Sequence, residues 1–106
     1  MMLKVLMEFR RGVLFVRLYG IFNSTTLETF NKDVKEVIIS SGIKYVVLNM
    51  NGVNELSSDA IRAIKRLRKI ITSNDGDFFL ISGEIKELKK LVKLENELNV
   101  FERVVI

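Results

Sequence analysis

The stretch KYVVLNMNGVNELSSDAIRAIKRLRKIITSNDGDFFLIS, residues 44–82, decides the fold. It opens on a short apolar run, KYVVLNM, with polar flanks. The polar segment Asn51 to Glu55 follows and reads as a loop. Apolar residues then recur at helical spacing: Ala60, Ile61, Ile64, Leu67, Ile70 and Ile71. Asn74-Asp75-Gly76 has the composition of a turn, and DFFLIS is a second short apolar run. Runs this short, rich in β-branched and aromatic residues, predict strands buried on both faces. Strand, helix, strand in that order predicts parallel strands with a helix packed on them.

The same alternation extends in both directions. Upstream, LKVLMEF (residues 3–9) places Leu3, Val5, Met7 and Phe9 on one face and predicts a half-buried strand. Arg10-Arg11-Gly12 is a short turn, and VLFVRLYG (residues 13–20) is the second strand of a hairpin, ended by Gly20. Thr25 and Glu28 have capping-box spacing ahead of Leu27, Phe30, Val34, Val37 and Ile38, with Gly42 placed as a helix stop. Downstream, Ile85, Leu88, Leu91 and Val92 predict a third helix, and VFERVVI (residues 100–106) a last strand. The expectation is one α/β domain over residues 1–106, with a mixed, mostly parallel sheet packed by helices.

Composition narrows the function. The chain has 106 residues, no histidine, no cysteine and no proline. Ser-His-Asp and Cys-His catalysis are therefore excluded within the chain, and the commonest zinc ligands are missing. No phosphate loop of the Gly-x-x-x-x-Gly-Lys type and no Gly-x-Gly-x-x-Gly occurs. No apolar run is long enough to span a bilayer, and the N-terminal stretch is broken by Lys4, Glu8, Arg10 and Arg11, unlike a signal peptide. The expected setting is the cytoplasm, with no membrane, no metal and no cofactor.

Within the helix-forming stretch, Leu56-Ser57-Ser58-Asp59-Ala60 admits two readings. Serine is a preferred N-cap, Asp59 complements the positive helix end, and Leu56 can pack on the first turn. A serine that only caps would cost about 1 kcal/mol on replacement by alanine. The same exposed N–H groups also favour an anion, so a phosphate on Ser58 would find partial compensation there. Asp59 would oppose it by roughly 1–3 kcal/mol at a surface dielectric. Farther along, Arg62, Lys65, Arg66 and Lys69 share one face. This face reads either as a solvated exterior or as a docking surface for an acidic protein. The net charge of +4 leaves a nucleic-acid reading. That reading ranks below protein docking, because no aromatic platform accompanies the stripe and Glu84, Glu87, Glu95 and Glu97 dilute the field.

The block VVLNMNGVNELSSDAIRAIKRLRKII resembles the STAS domain of the anti-sigma factor antagonists. In that family a strand ending near LNL leads through a loop to an Asp-Ser-Ser-Gly-Leu motif that starts a helix. Ser57 stands at the motif's aspartate, Ser58 at its phosphorylated serine, Asp59 at its second serine, Ala60 at its glycine and Ile61 at its leucine. VRLYGIFNSTTLETF resembles the family's Gly-x-Leu-Asp segment and the helix after it, with Asn23 at the aspartate. ELNVFERVVI resembles its closing Gly-Leu-Phe segment.

The resemblance implies a STAS-like sheet of about five strands packed by three to four helices. It implies an anti-sigma factor, a serine kinase-like protein, as partner, and control of sigma-factor-dependent transcription. It places phosphorylation at Ser58, with Ser57 the lesser candidate. It places partner binding on Asn23, Ser24, Ser57, Ser58, Asp59, Arg62, Lys65 and Arg66. The chain would accept a phosphate without catalysing anything, and any nucleotide would belong to the partner. The alternative within the fold is a module without the switch that acts as a constitutive interaction scaffold.

Overall fold

The computed structural model describes residues 2–81. Four strands form one sheet in the order β1 (Leu3–Arg10), β2 (Val13–Phe22), β3 (Tyr45–Leu56) and β4 (Asp77–Ile81). β1 and β2 pair antiparallel, whereas β2–β3 and β3–β4 are parallel. This is the expected mixed, mostly parallel α/β sheet. The third helix and last strand expected beyond Ser82 lie outside the described residues.

The hairpin joining β1 and β2 turns on Arg11 and Gly12 alone, both at positive φ, as a two-residue loop requires. β2 does not end at Gly20. It continues to Phe22, and Gly20 sits at φ +97° beside a register shift against β3, where an added Cβ would meet the Met2 carbonyl. Here glycine marks a bulge and a close backbone approach rather than a strand end.

β3 also runs past its expected end. Asn51 to Glu55 is strand, paired with the second half of β2: Tyr19 with Gly52, Gly20 with Val53 and Ile21 with Glu55. The Asn-Gly composition suggested a loop, but Gly52 provides room for the Tyr19 ring packed across it. Two register shifts give β3 two more residues than β2 over their common length, and both strands finish together at Phe22 and Leu56.

The first helical segment is not uniform. It comprises α1 (Leu27–Phe30), a π-helical stretch (Asn31–Lys35) and α2 (Glu36–Ser41), all joined through right-handed helical residues. The π turn has a packing reason. Phe30, Val34 and Ile38 are all buried and spaced by four residues. In an α-helix each such step drifts by about 40° around the axis. A wider turn cancels that drift and keeps the three side chains on the sheet. Gly42 ends the segment in the left-handed conformation, with Ile43 N–H donating to the Ile38 carbonyl.

α3 (Ser58–Ser73) buries Ala60, Ala63, Ile64, Leu67 and Ile71, while Ile61 and Ile70 are half-buried. Along β3, Val46, Val47 and Leu48 are all buried, as expected of a strand covered on both faces. β1 departs from the half-buried pattern: Leu3 is buried, but Met7 is 40% and Phe9 60% exposed.

Phe30 is fully buried and packs on Phe22, with ring centroids 4.7 Å apart. Phe30→Ala should lower the unfolding free energy by about 3–5 kcal/mol through lost burial and a residual cavity, read by urea denaturation.

Candidate functional site at the strand ends

The site is assembled where β2 and β3 finish side by side. Ser57 N–H donates to the Phe22 carbonyl at 3.0 Å, which extends the parallel ladder by one bond beyond the last paired residues. The chain leaves β2 through Asn23–Thr26 and leaves β3 directly into α3. Both departures occur at carboxyl strand ends, where open α/β sheets present ligand and partner sites.

The two serines divide their roles. Ser57 is the N-cap of α3: its backbone is extended, its Oγ accepts from Ala60 N–H at 3.2 Å, and its carbonyl accepts from Ile61 N–H at 3.1 Å. Ser58 is the first helical residue and is exposed. Its hydroxyl has no hydrogen-bond partner among the described residues. Only one of the two serines is therefore a cap. Asp59 lies in the first turn and forms an exposed ion pair with Arg62 one turn along. That pairing partly neutralises the carboxylate that follows Ser58 in the chain, although an exposed pair of this kind contributes little to stability.

The Asn23 loop is a compact turn held by side chains. Asn23 Oδ1 accepts from Thr25 N–H at 2.9 Å and from the Thr25 hydroxyl at 2.6 Å. The buried Thr26 hydroxyl donates to the Ile21 carbonyl at 2.8 Å and accepts from Asn23 N–H at 3.0 Å. The expected capping box of Thr25 and Glu28 does not form. Thr26 is the N-cap, without a side-chain bond into the helix, because both threonine hydroxyls are engaged in the turn that precedes it. Ser24 is exposed at the tip.

Asn23 Nδ2 also donates to Glu55 Oε2 at 2.9 Å, linking the loop after β2 to the end of β3. Sequence reasoning missed both Glu55 and Thr26. Glu55 lies in a segment whose composition reads as a loop, and no local motif distinguishes Thr26 from its neighbours. The bond explains why an amide suits position 23: an aspartate there would set its charge against Glu55.

Asn23, Ser24, Ser57, Ser58 and Asp59 thus share one end of the sheet. Arg62, Lys65 and Arg66 continue along α3 on its exposed side, opposite the buried Ala63, Ile64 and Leu67. Among the described residues no group of acidic side chains has the arrangement of a metal site, and no helix is long and apolar enough to cross a membrane.

The division of roles is open to measurement. Ser57→Ala should cost about 1 kcal/mol in urea unfolding, and Ser57→Asp should recover most of it. Ser58→Ala should stay within about 0.5 kcal/mol of the unsubstituted chain.

Known proteins share this architecture. The anti-sigma factor antagonist of Mycobacterium paratuberculosis superposes with a TM-score of 0.72 at 17% identity, covering 90% of this chain and 79% of that one. The anti-sigma factor antagonist SpoIIAA in its unphosphorylated form gives 0.72 at 13% identity, covering 97% and 100%. The Bacillus cell fate determinant SpoIIAA in its phosphorylated form gives 0.72 at 14% identity, covering 95% and 99%. At such identities the likeness is one of fold. The profile of the STAS domain family matches residues 4–105, nearly the whole sequence, and the chain belongs to that family.

Proposed function

We propose that this STAS domain is an anti-sigma factor antagonist that works by partner switching, with Ser58 as the phosphate acceptor. One observation carries the reading. Ser57 alone caps α3, so the Ser58 hydroxyl is exposed and uncommitted at the positive end of a 16-residue helix. A phosphate there would meet the helix N-terminus and lie one turn from Arg62, whose present partner is Asp59. The modification would place about −1.5 to −2 charges in the centre of the docking surface and release the partner without refolding the domain.

The partner is an anti-sigma factor with serine kinase activity, and its nucleotide is its own. It docks on Asn23, Ser24 and Ser57 to Asp59 and along Arg62, Lys65 and Arg66. Binding frees a sigma factor for transcription. The chain acts in the cytoplasm and catalyses nothing itself. The structural likeness to anti-sigma factor antagonists supports this reading.

Incubation with ATP and an extract of the source organism, followed by intact mass and fragmentation, should show one added phosphate on Ser58. Ser58→Ala should remain unmodified and stay bound to the partner. An unchanged mass, beside a kinase active on its own substrate, would leave a STAS module that binds constitutively. Lys65→Glu with Arg66→Glu should weaken partner binding by about tenfold with the fold intact. Steep log-linear loss of DNA or RNA binding with salt, abolished by the same double variant, would favour the nucleic-acid reading instead.

A further inference from the structure

Among the described residues β1 is the outer strand of the sheet next to β2, and it is exposed on both faces: Leu6 is 46%, Met7 40% and Phe9 60% accessible. An edge with apolar side chains on both faces is a template for pairing with another strand. Its backbone polarity follows from two observations. The Met2 carbonyl accepts from Ile21 N–H, and the two-residue hairpin closes on the pair Arg10 and Val13. In the unshifted β1–β2 register, even-numbered residues therefore direct their N–H and C=O groups at β2. Leu3, Val5, Met7 and Phe9 direct theirs away from the sheet.

A second copy of this chain fits that edge in one register. Consider two β1 strands antiparallel about a two-fold axis through Leu6. Val5 then pairs with the second copy's Met7, and Leu3 with its Phe9. These are the outward-directed residues, so each pair can exchange both backbone hydrogen bonds. Lys4 falls opposite the second copy's Glu8, twice by symmetry. These are the non-hydrogen-bonded positions, where side chains come closest and opposite charges favour pairing.

The other centres are poorer. An axis through Met7 sets Lys4 against Arg10, an axis through Lys4 or Glu8 sets like charges against themselves, and an axis through Val5 sets Lys4 against Leu6. An axis through Phe9 sets Glu8 against Arg10 but overlaps only residues 8–10 of the strand and leaves Leu3 to Met7 unpaired. Glu8 already contacts Arg10 Nε at 3.1 Å on its own strand, and both side chains are exposed, so the carboxylate is accessible to a second cation. We infer that β1 is a homodimer interface. Two copies join edge to edge about Leu6 into a continuous eight-stranded sheet, counting the described strands, with reciprocal Lys4–Glu8 pairs fixing the register. The interface is isologous and closes at two copies. It lies at the β1 edge, independent of the serine switch at the strand ends.

Sedimentation of the full chain over a wide concentration range tests this. The unsubstituted protein should pass reversibly from monomer to dimer. Lys4→Glu and Glu8→Lys should each weaken association by about tenfold or more, since each places two like-charge pairs across the axis. An equimolar mixture of the two variants should recover it as a heterodimer, because each new charge then faces its opposite. Leu6→Lys, with lysine on the axis, should be monomeric, and circular dichroism checks that every variant is folded. A chain that stays monomeric at the highest concentration overturns the inference. So does a dimer unaffected by the single substitutions, or a mixture that associates no better than its components. Concentration-independent protection of the β1 amides from hydrogen exchange, in a monomer, would show the edge covered from within the chain and would equally overturn it.

Discussion

The parallel register of β2 against β3 is the constraint on which the rest depends. Its two shifts bring strands of unequal length to a common end, and the Ser57–Phe22 bond seals that end. Without the shifts, Leu56 would overshoot Phe22 and the start of α3 would stand away from the Asn23 turn. The sheet interior thus determines which surface groups become neighbours. The bulges re-aim a strand near a functional edge, a role bulges have in many sheets.

The charges at that edge are rearranged relative to the motif the chain resembles. No acid occupies position 23 or 57, yet Glu55 delivers a carboxylate to the same neighbourhood by bonding to Asn23. Asp59 is positioned beside the exposed serine and balanced by Arg62. The surface keeps acidic and basic groups close to Ser58 while drawing them from other positions. Its polarity belongs to the assembled site, spread over two strand ends and one helix turn, more than to any single motif residue.

Much of this was readable in the residues. The apolar period of α3, the Gly42 stop, the opening hairpin and the alternation of strands with helices are local patterns, and local physics produced them. The ends of β2 and β3 were not readable. Gly20, Gly52, Asn51 and Asn54 have turn chemistry, and only the neighbouring strand reveals that the two glycines pair in a ladder while the two asparagines fall at its register shifts. The capping box failed for a related reason: Thr25 and Thr26 bond to Asn23 and Ile21, upstream of the helix they were expected to cap. At the site, the basic face is legible in its spacing, and the serines in their N-cap chemistry and in the resemblance to the family motif. The split between a capping Ser57 and an exposed Ser58 is visible only in the backbone at the start of α3, because both residues satisfy the same composition rule.

The π turn between Asn31 and Lys35 gives this part of the chain an asymmetric response to changes of length. Lys32 and Asp33 are exposed, so their identities are free to vary. Removing one residue there would let the helix close as α throughout, and Phe30 and Ile38, then seven residues apart, would stay within about 20° of each other on the core face. Adding one would leave a further rotation of about 100° with nothing to absorb it, and would carry Ile38 off the core. Relatives that align across this segment should therefore lose a residue here more readily than gain one, and a single-residue gap would mark a first helix that is α throughout.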